Sequence, residues 1–497
     1  MNSISAISIS KGFGAKKIFE DVSLTVHPND RIAIIGENGV GKSTLMKILC
    51  GIEQPDSGKL ICDDWAGRSY SAQEPSFDSS QTILDVVATL GRPDECLKTM
   101  AKLGFKANKD ELLNFQVSSL SGGQRKILDI AYQLASSPAF FFIDEPENHL
   151  DIIARGELVE ILKKYWGAVV FVSHDRYLIN EVATKIVEIE DEQIRTVSGT
   201  YESYIELRQQ EIEADARRWE AEKKGIKRLE NAVRILQLHA RFNTKGAGVY
   251  RSRKRELEKR KAVHGEKPDA DRDRIRLQSV TVDKKSGKQI LVCEDLGFGY
   301  ENATPLFKKV NLRLQFGERI ALIGRNGTGK SSFLGIMKGM NQPSSGTCRI
   351  GNNIQVQYFD QVSPLESNLP ALRVVEEELS CNEGVARSLL AKLLFEQNEM
   401  TLSVAALSGG QKSRLRMALL FAKNPEFVVL DEPTNNLDPT TWEILVEQLQ
   451  DYKGTLLVVS HDRSFLENID LDKFWVFKKQ TVTEDYHDLS DVLEQMQ

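Results

Sequence analysis

The chain has 497 residues, a formal net charge of −6, 41% hydrophobic and 27% charged residues. That length exceeds a single core and implies about two to four domains. The absence of any apolar run of about 18 residues excludes a membrane-spanning helix, and the acidic average, taken alone, argues against a nucleic-acid partner.

The N-terminus opens on the alternation Ile7-Ser8-Ile9-Ser10, with no secretory leader expected. Arg31–Ile35 reads as a strand that feeds a glycine loop, and Ser43–Cys50 as the helix leaving it. Ala139–Ile143 and Val169–Val172 read as buried strands. Strands and helices that alternate in this way predict an α/β sheet covered on both faces. The six cysteines (50, 62, 96, 293, 348 and 381) include no CxxC pair, which suggests reduced thiols in a cytoplasmic protein.

The sequence is one unit written twice. Gly36-Glu37-Asn38-Gly39-Val40-Gly41-Lys42-Ser43 recurs as Gly324-Arg325-Asn326-Gly327-Thr328-Gly329-Lys330-Ser331. Leu120-Ser121-Gly122-Gly123-Gln124 recurs as Leu407-Ser408-Gly409-Gly410-Gln411. Asp144-Glu145-Pro146 recurs as Asp431-Glu432-Pro433, and Ser173-His174-Asp175 as Ser460-His461-Asp462. The offset is 288 for the first motif and 287 for the other three, so the duplication carries almost no relative insertion. The copies predict domains at 1–200 and 289–485, a linker at 201–288 and a short tail at 486–497.

GxxxxGK[ST] is a phosphate loop. Its glycines let successive N–H groups converge on phosphate oxygens, and the following helix presents its N-terminal dipole to the same anion. Lys42 and Lys330 are expected on the β/γ-phosphates, and Ser43 and Ser331 on Mg²⁺. The competing reading is a glycine turn that only caps a helix. Asp144 and Asp431 end apolar strands, where open α/β sheets gather ligands, and supply a second metal-ligating group. Glu145 and Glu432 are candidates to orient and polarise an attacking water. The bland reading of that motif is a surface turn. His174 and His461 follow a second buried strand, where a recurring imidazole can reach a γ-phosphate or that water; a lone histidine there would be structural. Ser-Gly-Gly-Gln opens a helix in each copy, either as a cap alone or as backbone that approaches a ligand.

P-loop, LSGGQ, Asp-Glu-Pro and Ser-His-Asp, in that order and twice, resemble the ATP-binding cassette superfamily over about 400 residues. The resemblance implies two P-loop cassette domains and a head-to-tail sandwich, in which each P-loop faces the other cassette's signature. Site one would combine Gly36 through Thr44, Gln73, Asp144, Glu145 and His174 with Ser408, Gly409, Gly410 and Gln411. Site two would combine Gly324 through Ser331 and Ser332, Gln361, Asp431, Glu432 and His461 with Ser121, Gly122, Gly123 and Gln124. Gln73 and Gln361 match the family's metal-binding glutamine, 31 residues after each P-loop lysine. Phe13 and Tyr300 match the aromatic that stacks on adenine. Two departures stand out: Glu147 lies where copy two has the usual Thr434, which could weaken nucleotide binding in site one, and His149 matches Asn436. The stretch 76–117 is short, so the arm some relatives insert there is expected to be absent, as is a basic C-terminal extension.

Residues 223–261 contain fourteen Lys/Arg against three acids, Glu230, Glu256 and Glu258. With 65 basic and 71 acidic residues in all, the segment carries +11 and the rest of the chain −17. The average of −6 therefore conceals a strongly basic segment, and the first inference against nucleic acid fails. Ile205, Ile212, Trp219, Ile226 and Val233 recur every seventh position, and Leu229 and Leu236 fill a companion seam. The stripe is narrow and predicts a solvated two-helix hairpin, with a helix over 206–240, a turn at Gly246 and Gly248, and a return from Arg251. Arg241, Lys245, Arg251, Arg253, Lys254 and Arg255 are the RNA-contact candidates, with Phe242 among the cations of the tip. A solvated face, or an anionic membrane surface for which the hairpin lacks a broad apolar face, are the alternatives.

Two cassettes and a charged helical linker resemble the ABC-F subfamily. That resemblance implies a cytoplasmic ATPase, with ATP and Mg²⁺ as cofactors and intramolecular cassette pairing in a monomer. Its linker would enter the ribosome near the tRNA exit site, for translation or for antibiotic protection. The rival expectations are the motor of a transporter with a separate membrane subunit, and a non-catalytic ATP-gated scaffold.

Overall fold

The computed structural model describes residues 3–14, 16–37, 39–62, 67–78, 80–105, 114–240, 246–263, 288–300, 304–359, 367–393, 395–435, 437 and 439–496. Asn38, Gln361, Arg241 and Lys245 lie outside them, as do Asn436 and Phe242. The chain forms two compact units, one of residues 1–201 with 276–497 and one of 202–275.

The larger unit holds two copies of one architecture. In the first, a six-stranded sheet runs in the order Arg68–Ser71, Phe140–Asp144, Ala168–Val172, Arg31–Gly36, Lys185–Glu190, Gln193–Ser198. The first five strands are parallel and the last is antiparallel. Every residue of Phe140–Asp144 and Ala168–Val172 is buried, because helices cover both faces of a parallel sheet. This is why these strands read as unbroken apolar runs. The second copy repeats the order with Val356–Phe359, Phe427–Asp431, Thr455–Val459, Arg319–Gly324, Lys473–Lys478 and Thr481–Asp485.

Each copy adds a three-stranded antiparallel sheet: Lys16–Val26, Ile4–Phe13 and Ser57–Cys62 in the first, Phe307–Gln315, Gln289–Phe298 and Ser345–Ile350 in the second. Each of these packs on its own central sheet through one apolar core. A further core belongs to the second copy but includes Ile152 and Ile153 of the first. Burying side chains of that size stabilises by roughly 1.5–3 kcal/mol each, so the copies adhere through apolar surface as well as polar contacts. The helix Leu489–Glu494 joins the same core through Leu489, Val492 and Leu493.

The smaller unit is a helical hairpin. Its first helix, Tyr201–Ala240, has 40 residues and is about 60 Å long at ~1.5 Å per residue. It starts five residues before the expected boundary and runs through Gly225. A glycine there costs about 1 kcal/mol, and this is spread over a long helix. The second helix, Gly246–Val263, begins at the glycines assigned above to the turn. Gly246 and Gly248 thus occupy its first turn, where the N–H groups have no intrahelical partner and a weak helix former costs little. The two helices meet where Lys261 pairs with Glu230 at 2.5 Å. The heptad stripe deepens toward that contact, from half-buried Ile205, Ile212 and Trp219 to buried Ile226 and Val233. Among the described residues, no helix is long and apolar enough to cross a membrane.

Candidate functional site

Each phosphate loop joins the central strand of its sheet to a helix, Lys42–Cys50 or Lys330–Met337. The residue before the helix, Gly41 or Gly329, has φ of +109° or +103° and no side-chain cap. Only glycine holds that conformation without strain, and the leading N–H groups stay available to an anion. Space imposes the same demand, since a Cβ on Gly41 would lie 2.1 Å from Ile18 Cγ2. Lys42 Nζ donates to the carbonyls of Gly36 (2.8 Å) and Glu37 (2.9 Å), and Lys330 Nζ to those of Gly324 (2.8 Å) and Arg325 (3.2 Å). Each ammonium is therefore already folded over the hollow of its own loop.

Asp144 and Asp431 close their strands as the sequence suggests. The glutamates that follow are backbone outliers: Glu145 has φ +45° and Glu432 +48°. A left-handed conformation costs a residue with a Cβ about 1–2 kcal/mol. A hydrogen bond from each N–H to the neighbouring strand, Val172 O at 2.9 Å and Val459 O at 2.8 Å, fixes the turn and aims the carboxylate. Such strain gathers at functional sites and left no signal in the sequence.

Glu145 accepts hydrogen bonds from Gln73 Nε2 (2.7 Å) and Asn148 Nδ2 (2.5 Å), and burial raises its pKa. Glu432 accepts the His461 N–H at 3.3 Å, and its Oε1 lies 3.5 Å from His461 Nε2. Burial raises Glu432 to about 7 against the fields of Arg155 and Lys330. Burial, with those same two cations, holds His461 well below its usual value, so its imidazole is neutral. His174 sits on the equivalent turn of copy one.

Sequence reasoning missed three residues. Lys126 is almost wholly buried in the first signature helix, and its Nζ donates to Ala72 O (2.5 Å) and Asp144 O (2.6 Å). Burial lowers it to about 8 despite the carboxylates nearby. Tyr70 donates its hydroxyl to Asp144 Oδ2 at 3.0 Å. Arg155 is buried and pairs with Asp175 at 3.0 Å. Lys126 and Arg155 could have been found, each as a cation in the apolar register of a helix.

Both signatures begin helices, Gly122–Ser136 and Gly409–Ala422, through reciprocal capping boxes of Ser121 with Gln124 and Ser408 with Gln411. The hydrogen bonds of these residues stay within their own cassette; Gln411 adds one to Glu399. The polar bridge from cassette one to the second P-loop comes instead from the turn after Glu145. Asn326 N donates to Asp151 Oδ2 (3.0 Å), and Asn326 Nδ2 to His149 O (2.9 Å). Phe13 and Tyr300 are 53% and 60% exposed; Lys11 Nζ lies 5.5 Å over the Phe13 ring, and the Tyr300 hydroxyl lies 3.2 Å from Ser332 Oγ. Val40, Ser43, Thr44, Thr328 and Ser331 line the two loops.

The family description "ABC transporter" matches residues 19–148 and 307–435, and a second description of the same wording matches 187–277. The putative ATP-binding protein YdiF of Bacillus subtilis is 34% identical, over 93% of this chain and 78% of its own length. ABC transporter F family member 2 of Arabidopsis thaliana is 29% identical, over 93% and 74%. The chain belongs to the ATP-binding cassette superfamily, ABC-F type. An ABC-F protein of this kind is an ATPase, and its two matched segments are the two cassettes that bind ATP. The fold is shared with the archaeal ribosome recycling factor aABCE1, solved with the archaeal ribosomal stalk protein aP1, at a TM-score of 0.64 and 17% identity over 98% of this chain and 92% of that one.

Proposed function

We propose that ATP draws the two cassettes of this ABC-F ATPase together head to tail, forming two composite sites, and that closure sets the basic hairpin into the ribosome. In site one the Gly36–Thr44 loop holds the phosphates, with Ser408–Gln411 opposite; in site two the loop is Gly324–Ser332, with Ser121–Gln124 opposite. The contact of Asp151 and His149 with Asn326 supports this pairing, because it already carries cassette one onto the second P-loop. The donors around each phosphate end are hard oxygens: Ser43, Asp144 and Gln73 in one site, Ser331 and Asp431 in the other, where Gln361, outside the described residues, would complete the set. Such a set fits Mg²⁺, which screens the phosphate charge when bound. Glu145 and Glu432 orient a water, whose oxygen forms a bond to the γ-phosphorus as the bond to the bridging oxygen breaks. The carboxylate takes the proton, and His174 or His461 holds the γ-phosphate. Phe13 and Tyr300 stack on adenine.

The ribosomal reading rests on the hairpin. Its +11 charge in 39 residues fits a polyanion, and Arg251, Arg253, Lys254 and Arg255 are exposed along the return helix. Arg251 and Arg255 form no ion pair among the described residues. From the resemblance to the ABC-F group we infer that the linker enters near the tRNA exit site, in translation or in protection from antibiotics. The test uses the full chain with Glu145→Gln and Glu432→Gln, ATP and ribosomes, sedimented through sucrose. The double variant is expected to pellet with ribosomes only when ATP is present; failure to pellet refutes the ribosomal reading and leaves the ATPase assignment intact.

A further inference from the structure

Cassette one carries Glu147 where cassette two carries Thr434, and eight residues on, Arg155 where cassette two carries Trp442. Glu147 is buried, and its Oε1 accepts three hydrogen bonds from the turn after the strand Ala168–Val172. They come from the Ser173 hydroxyl (2.7 Å), the His174 N–H (2.8 Å) and the Asp175 N–H (3.3 Å). Asp175 is paired with Arg155 at 3.0 Å, and the field of the same guanidinium reaches Glu147. Cassette two is wired differently. There the His461 N–H turns to Glu432 (3.3 Å), and Trp442 Nε1 donates to Asp462 Oδ2 (3.1 Å). Glu432 therefore touches its histidine turn. Among the described residues no hydrogen bond or ion pair joins Glu145 to His174; the side-chain hydrogen bonds of Glu145 run to Gln73 and Asn148.

We propose that Glu147 is a positioning residue that makes the two ATP sites unequal: it pins the 173–175 turn and parts Glu145 from His174, so site one holds nucleotide while site two turns it over. The argument is geometric. A histidine turn held at three points by one buried carboxylate cannot follow Glu145, whereas the turn in cassette two moves with Glu432. The shorter, uncharged Thr434 leaves that freedom. Arg155 neutralises part of the added charge, which explains why cassette one has Glu and Arg where cassette two has Thr and Trp. Arg155 also sends its field to Glu432, Asp462 and His461, so the pinned turn of site one is electrostatically linked to site two.

This rests on the reading of Glu145 and Glu432 as the water-activating groups of two composite sites. Turnover is measured at saturating and limiting ATP in E145Q, which leaves site two, and in E432Q, which leaves site one. E432Q is expected to have a kcat about tenfold below that of E145Q, the effect of about one charge-assisted hydrogen bond on a barrier. Adding E147T to E432Q is expected to raise kcat about five- to tenfold, with KM little changed. Adding E147Q, whose amide oxygen can accept the same three hydrogen bonds, is expected to leave the site slow. Equal kcat in E145Q and E432Q overturns the proposal, as does an E147T that stays slow or an E147Q that speeds up as E147T does. The first comparison leaves Glu147 untouched, so a misfolded E147T would not shelter the proposal. If the double variant E145Q/E432Q kept full turnover, the two-site reading itself would fail instead.

Discussion

Asp151 offers the sharpest test of how the cassettes communicate, because its two carboxylate oxygens do different things. Oδ1 caps the helix Ile152–Lys164 by accepting the Ala154 N–H at 2.9 Å, and Oδ2 accepts the Asn326 N–H of the second P-loop at 3.0 Å. Asp151→Ser keeps the cap, since serine is as good an N-cap as aspartate, but is too short to reach Asn326. Asp151→Ala loses both. A hydrogen bond to a charged acceptor contributes about 1.5–3 kcal/mol, or roughly tenfold to a hundredfold in the equilibrium it supports; this one is part-buried, which favours the lower end. The parallel bond from Asn326 Nδ2 to His149 O survives both changes and favours the lower figure. In an E145Q background, where site two alone turns over, Asp151→Ser is therefore expected to raise the half-saturating ATP concentration about tenfold, with little change in melting temperature. Asp151→Ala should do the same and also melt about 2–4 °C lower, from loss of a cap worth about 1 kcal/mol. If the serine variant saturates with ATP like its parent and only the alanine variant melts early, Asp151 is a cap and nothing more.

Three further outcomes are expected. Gly41→Ala sets a Cβ 2.1 Å from Ile18 Cγ2 at φ +109°; it should destabilise by roughly 2–4 kcal/mol and abolish binding of a fluorescent ATP analogue at site one but not site two. Glu147, with Ser173, Asp175 and Arg155 around it, is raised by burial from 4.5 to about 7, so the folded state binds its proton more tightly than the unfolded chain. Stability is then fully present below about 4.5 and falls as pH rises through about 7, by up to roughly 3 kcal/mol; Glu147→Gln should flatten that part of the melting-temperature profile, and a profile still as steep would show the loss comes from other groups. Neutralising Arg251, Arg253, Lys254 and Arg255 should weaken ribosome binding and reduce the slope of log affinity against log salt by about 3, at roughly 0.7–0.9 per phosphate contact; an unchanged slope would exclude this face as the contact.

The duplication, the phosphate loops and the signature helices were legible in the sequence because each rests on local chemistry. A loop that wraps phosphate needs glycines at fixed spacing, a signature helix needs its Ser121–Gln124 or Ser408–Gln411 box, and a strand buried on both faces must be apolar throughout. The hairpin was legible for a related reason, since seven-residue spacing and net charge survive without knowledge of the fold. Its turn was misplaced, because glycine marks both turns and helix starts, and only the return helix shows which of the two Gly246 and Gly248 serve.

Tertiary structure decided what depends on neighbours far apart in the chain. The left-handed turns at Glu145 and Glu432 exist because Val172 and Val459 accept their N–H groups. The bridge from cassette one to the second P-loop runs through Asp151, His149 and Asn326 rather than through the signatures. Glu147, which the sequence marked only as an added negative charge beside site one, turns into the 173–175 turn, next to the Asp175–Arg155 pair. Sequence fixes which groups are present and the local shapes they favour. Whether a buried carboxylate meets a phosphate, a cation or a row of N–H groups is settled by packing, because its desolvation must be offset by whatever partner the fold brings within reach.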